Sequence, residues 1–195
     1  LTPQFAAVAL TLLTSLIMHA DLLHLGGNML FFWIFGNNVE DRLGHALFVA
    51  FYLGGGIAAG LCHWATTFAP ADTAPVIGAS GAVAVMMGAY LVTFPRANVR
   101  VLLLLGWLPL LLTVPAVYVL VVWLLFDVLT LFLVQHGYVS HVALAAHIGG
   151  FAVGALVMLL LNRVVPAPPP DIEILEPTPA PPPPPPDPTG IYWDE

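Results

Sequence analysis

The sequence contains no lysine, and its four arginines, Arg42, Arg96, Arg100 and Arg163, stand far apart. No basic patch exists that would neutralise a run of phosphates, which excludes nucleic acid as a partner. A single cysteine, Cys62, excludes an internal disulfide and a thiolate metal site; it reads as a small apolar side chain within a span. Charge of either sign is scarce: 8% of residues are charged and 59% are hydrophobic, against roughly 25% charged in a soluble domain. Too little polar surface remains to coat a water-soluble globule, so the solvent is largely lipid. No phosphate-cradling glycine loop is present, which argues against ATP use, and no cofactor is implied.

What the sequence does have is apolar length. The net charge is −7, but Leu1–Val165 hold five acids against four arginines, and Pro166–Glu195 hold the other six acids. The membrane part is nearly neutral. A spanning helix needs about 20 apolar residues, and dividing the chain at its charges, prolines and glycines gives five spans, at about 22–39, 46–66, 80–95, 116–134 and 142–161. Asn98–Val114 reads as a hydrophobic connection with partial structure of its own. Phe5–Ile17 is too short to cross, so residues 1–21 are expected to form an interfacial or re-entrant segment. Residues 166–195 contain 13 prolines and little to bury, and are expected to be a disordered, acidic, proline-rich tail on the cytoplasmic side. The run Pro181–Pro186 is of a kind that proline-recognition domains bind; a plain solvated tail is the preferred reading. The chain begins at Leu1 without a basic leader region, from which upstream residues are expected to be missing.

Five spans place all four arginines on one side of the bilayer, in agreement with the positive-inside rule. The expected setting is therefore an integral, multi-pass protein of a prokaryotic cell (inner) membrane, with Asp72 and Gly137 on the outer, periplasmic side.

Polar residues inside lipid-embedded helices are costly, so their depth is informative. His24 and Asn28 lie in the first turns of the first span, Ser80 at the start of the third, and His147 early in the fifth. All three spans run in one direction, which brings the four side chains to a similar level. Ser80 lies in Gly78-Ala79-Ser80-Gly81, where small neighbours admit a substrate backbone. This stretch departs from the Gly-x-Ser-x-Gly elbow of soluble hydrolases and, taken alone, reads more readily as a helix-packing patch than as a nucleophile. His147 precedes Gly150 and Gly154, a Gly-x-x-x-Gly face for close helix packing; by itself it could be a structural histidine. His24 and Asn28 are one turn apart and share a face, as donors toward an oxyanion require. His19, Asp21 and His24 lack further ligands at metal spacing, so no metal site is expected.

Four motifs then occur in one order: His19-(four residues)-His24-(three residues)-Asn28, Glu40-Asp41-Arg42-Leu43-Gly44, Gly78-Ala79-Ser80-Gly81 and Ala146-His147-Ile148-Gly149-Gly150. Over roughly Thr14–Leu161 the chain resembles the rhomboid intramembrane serine proteases. The resemblance implies an all-α, polytopic membrane helical bundle with a six-helix core, the first helix being absent from this chain. It implies an intramembrane serine endopeptidase with Ser80 as nucleophile and His147 as general base and then acid. His24, Asn28 and the Ser80 backbone N–H would form the oxyanion hole, and His19, Glu40, Arg42, Gly78, Gly81, Gly150 and Gly154 would be structural. The partners implied are transmembrane protein substrates and the lipid bilayer.

One departure concerns the support of the histidine: some relatives carry a tyrosine one turn after the serine, packed beneath the catalytic histidine, and here that position is Ala84. Asp127, alone in an uncharged stretch, is expected to be protonated or bonded to a neighbouring helix. The alternatives are a catalytically silent rhomboid-like protein that binds membrane clients, which would be expected to have lost the serine or the histidine, and a transporter, which would be expected to show internal repeats. Neither feature is found.

Overall fold

Asp21 starts the first long helix by accepting the His24 backbone N–H at 2.7 Å, which satisfies one of the donors that a helix start leaves open. In the computed structural model, which describes residues 10–66, 78–105, 107–140 and 142–164, this helix is α1, Leu22–Phe31. It continues through a π-helical turn, Phe32–Gly36, into α2, Asn37–Leu43. Gly44, with φ of 76°, closes α2, and α3 follows over His45–Thr66. The remaining elements are α4, Ser80–Thr93; β1, Asn98–Leu105; β2, Leu108–Pro115; α5, Ala116–Gln135; and α6, Leu144–Val164. Residues 10–14 form a helical turn ahead of α1. The expectations for residues 1–9, for the Asp72 loop and for the proline-rich tail lie outside the described residues.

The fold is a helical membrane bundle. Among the described residues, α3, α5 and α6 are long and apolar enough to cross a bilayer. The fourteen residues of α4 rise only about 21 Å at 1.5 Å each, less than the roughly 30 Å hydrocarbon core. A short helix is tolerated there because it is enclosed: Gly81 through Tyr90 are all buried, without the one-sided stripe of a peripheral helix.

Glycine allows the neighbours of α4 to close upon it. A Cβ at Gly150 would come within 2.5 Å of the Gly81 carbonyl oxygen, and one at Gly154 would collide with the Val85 carbonyl. From the other helix, a Cβ at Gly88 would collide with the Phe151 carbonyl. The α4–α6 seam is thus backbone against backbone, the packing that small residues permit in lipid. Gly154→Leu is expected to force the helices apart at a cost of about 3 kcal/mol. Cys62 of α3 packs on Gly149 of α6, so earlier reaction of its thiol with a maleimide dye during heating measures the loss.

At the opposite end from Ser80, polar side chains tie three helices together. Arg42 Nη2 donates to Asn162 Oδ1 at 3.3 Å, and Asn162 Nδ2 donates to Thr93 Oγ1 at 3.2 Å. Glu40, grouped with Arg42 in the sequence, instead contacts His45 Nδ1 at 2.6 Å. Three residues separate Glu40 from Gly44, where the chain reverses and brings His45 back over the carboxylate.

The connection 98–114, expected only as a partly structured apolar segment, is an antiparallel hairpin in register from Asn98↔Pro115 to Leu105↔Leu108. Pro109 and Pro115 forbid a helix across it, and pairing satisfies the backbone groups on the facing edges of both strands. Beyond the Arg100–Thr113 pair, toward Leu105 and Leu108, its residues are apolar on both faces, and Leu102, Leu103, Leu110 and Leu111 are all exposed. The hairpin, α1 and α5 line an apolar cavity of about 630 Å³ that includes Phe31, Val101, Leu112, Tyr118 and Trp123.

Candidate active site

Gly78 sets the position of the serine. Its φ of 123° belongs to a region that L side chains rarely occupy, and its N–H donates to the Ser15 carbonyl at 2.9 Å, anchoring the approach to α4 on the segment before α1. A Cβ at Gly78 would lie 2.8 Å from His24 Cε1 and 3.7 Å from Ser80 Oγ. The missing side chain is what lets the His24 ring and the serine hydroxyl share this corner. Ser80 is the first residue of α4, after an Ala79 cap that offers no side-chain hydrogen bond. The first N–H groups of the helix therefore have no intrahelical acceptor.

His147 lies in the first turn of α6, and Gly150 and Gly154 hold that helix against α4. Its Nε2 is 2.7 Å from Ser80 Oγ, and its Nδ1 is 2.8 Å from Asp127 Oδ2 on α5. His147 and Asp127 are buried, at 8% and 7% exposure, while Ser80 is half-buried. Trp123, one turn before Asp127 on α5, lies against the imidazole with ring centroids 5.4 Å apart and planes at 31°. It also stacks on Phe151, with ring centroids 6.3 Å apart. The indole covers the ring left without a tyrosine beneath it by Ala84, which is itself fully buried in the core.

The remaining site residues surround this chain of contacts. Asn28 is buried, and its Nδ2 makes no hydrogen bond among the described residues. A buried amide donor without an acceptor is costly. His24 is half-buried and packs edge-on against His19 at 5.3 Å. His19 Nδ1 contacts the Ile17 carbonyl at 3.0 Å, which fixes that ring behind His24. Asp21 is occupied as the α1 cap. Among the described residues no cluster of three or more histidine, cysteine or acidic side chains is placed to hold a metal.

Sequence reasoning missed Trp123, and it ranked Asp127 as protonated or bonded to a neighbouring helix ahead of a third member of the site; the bond to a neighbouring helix is the one to His147. Two signals were present: Asp127 is the one charge between Val101 and Asn162, and Trp123 lies four residues before it, on the same helical face.

The Rhomboid domain matches residues 7–164. The chain belongs to the rhomboid family. It is 28% identical over 102 residues to the presenilin-associated rhomboid-like protein, mitochondrial, of Mus musculus, covering 52% of this chain and 27% of that protein. The human protein of the same name is 26% identical over 102 residues, with the same coverages. Rhomboid protein 1, mitochondrial, of Saccharomyces cerevisiae is 32% identical over 101 residues, covering 51% of this chain and 29% of that protein. The matched part thus spans less than a third of each of these relatives.

These rhomboid relatives overturn the expectation of a prokaryotic cell membrane, since they are named as mitochondrial proteins. The expectation failed for a physical reason. Apolar length and one-sided arginines orient helices relative to a bilayer, but they carry no information on which membrane that bilayer is.

Proposed function

We propose that this chain is an intramembrane serine protease in which Ser80 attacks the scissile carbonyl of a transmembrane protein and His147 is the general base. The observation that carries this reading is the 2.7 Å approach of His147 Nε2 to Ser80 Oγ, within the reach that nucleophile and base require. A half-buried hydroxyl beside a buried imidazole fits a reaction that needs both a dry site and access for water. The unpartnered Nδ2 of Asn28, the His24 ring and the Ser80 backbone N–H would serve as donors to the oxyanion. The apolar cavity bounded by α1, the hairpin and α5 includes Trp123, which also touches the imidazole. Its lining suits a hydrophobic peptide segment arriving from the bilayer, and hence transmembrane substrates.

Labelling of the purified protein with a fluorophosphonate probe tests the proposal without a known substrate. Wild type is expected to be labelled at Ser80 and Ser80→Ala not at all. Labelling that is absent from wild type, or that survives Ser80→Ala unchanged, overturns it.

A further inference from the structure

A carboxylate in an apolar span is costly unless its charge is hydrogen-bonded or paired. Asp127 is buried in α5, whose other buried residues are Ala116 and Leu120, yet its Oδ2 lies 2.8 Å from His147 Nδ1, on the ring edge away from the serine. The geometry points to Asp127 as a positioning residue for the base: an ionised carboxylate that accepts the His147 Nδ1–H and so leaves Nε2 free to accept the Ser80 hydroxyl proton. This inference rests on the protease reading above and completes a Ser80–His147–Asp127 relay.

The tautomer decides between the two protonation states of Asp127. A neutral carboxylic acid donating to Nδ1 would put the ring hydrogen on Nε2, where it would point at Ser80 Oγ and leave the serine without a base. An ionised carboxylate can only accept, which fixes the hydrogen on Nδ1. As the bond from Oγ to the substrate carbonyl carbon forms, the carbonyl π pair moves to oxygen and the Oγ proton passes to Nε2. The imidazolium keeps its Nδ1–H in the bond to Asp127, and the carboxylate takes up no proton. The Nε2 proton then passes to the leaving amine as the C–N bond breaks. Water repeats the sequence on the acyl carbon and returns the proton to Oγ. Trp123 adds a restraint from the same face of α5: Asp127 fixes the ring at its edge, and the indole covers its flat side.

The test compares wild type, Asp127→Asn, Asp127→Glu and Ser80→Ala, purified in detergent. It follows fluorophosphonate labelling rate, kcat and KM on a fluorogenic transmembrane-segment peptide, and thermal unfolding. An asparagine amide can donate to Nδ1 and hold the ring in the wrong tautomer; the equivalent change lowers kcat about 10⁴-fold in a soluble serine protease. Asp127→Asn is therefore expected to slow labelling and kcat by about 10²–10⁴-fold, with KM and unfolding temperature near wild type, and Asp127→Glu to recover part of the loss. Labelling and kcat near wild type in Asp127→Asn overturn the inference. So does a loss that follows a lowered unfolding temperature in both variants with glutamate no better than asparagine. Wild-type protein that is not labelled at Ser80 overturns the protease reading itself, a result distinct from either.

Discussion

Alanine at Ser80 or at His147 is expected to lower kcat on a transmembrane substrate by about 10⁶-fold, and alanine at both to lower it little further. Nucleophile and base act on one proton, so once either is gone the other has nothing to transfer; what remains is catalysis by binding and by the oxyanion donors. Stability separates the two variants. Ser80→Ala removes one hydroxyl from a half-buried position at a helix start and leaves the α4–α6 seam intact, so its unfolding temperature stays near wild type. His147→Ala removes the partner of the Asp127 carboxylate, and an uncompensated buried charge costs about 3–5 kcal/mol. Its unfolding temperature falls, and a second change, Asp127→Ala, restores part of it. Near-normal turnover by Ser80→Ala overturns the mechanism; an unfolding temperature unchanged in His147→Ala shows that the carboxylate does not depend on the imidazole.

Asn28→Ala is expected to lower kcat about 10²–10³-fold, or roughly 2.7–4 kcal/mol, the loss that follows removal of one oxyanion donor in a soluble serine protease, with KM little changed. The structure gives this residue a buried Nδ2 with no acceptor among the described residues, so the folded ground state gains nothing from the donor there. An interaction that exists only when charge develops on the substrate oxygen lowers the barrier without tightening substrate binding. Replacement by alanine relieves an unsatisfied group, and the unfolding temperature is expected to hold or rise. Asn28→Asp is at least as damaging at neutral pH, because an ionised carboxylate cannot donate and repels the oxyanion. A structural role for Asn28 gives the reverse pattern: activity falls in step with unfolding temperature, and the folded fraction turns over at the wild-type rate.

Sequence and structure agree most closely where depth alone decides. Ser80 and His147 belong to helices that run in the same direction, each close to its helix start, and counting residues from those starts is enough to bring them level. Rotation about a helix axis is another matter. Asp127 lies in the twelfth position of a helix that is apolar on every side, so no stripe marks which face meets the bundle, and its aim at Nδ1 emerges only from the packing of α5 on α6. Trp123 was obscure for the same reason: a tryptophan in a span reads as lipid-facing until its neighbour across the seam is known. The hairpin was hidden by composition. Val99 to Val114 lacks the alternation that identifies a strand with one wet face, and only Pro109 and Pro115 showed that helix was excluded. The Arg42–Asn162 contact joins residues 120 apart in the chain and follows from α2 and α6 running in the same direction and ending at the same level.

The burial of α4 and the exposure of α5 divide the active site between two mechanical regimes. Nearly every side chain of the serine helix is enclosed by protein, so changes in bilayer thickness or acyl-chain order reach Ser80 only after deforming the bundle around it. Helix α5 meets the lipid along most of its length, with Tyr118, Val122, Leu125, Phe126 and Leu129 all more than half exposed, and it carries both side chains that steady the imidazole. Hydrophobic mismatch acts on a spanning helix through its tilt, and a tilt of α5 displaces Asp127 and Trp123 relative to His147 while leaving the depth of Ser80 unaltered. In the proposed mechanism the composition of the membrane is thereby coupled to the alignment of the His147 base, and Ser80 is insulated from it.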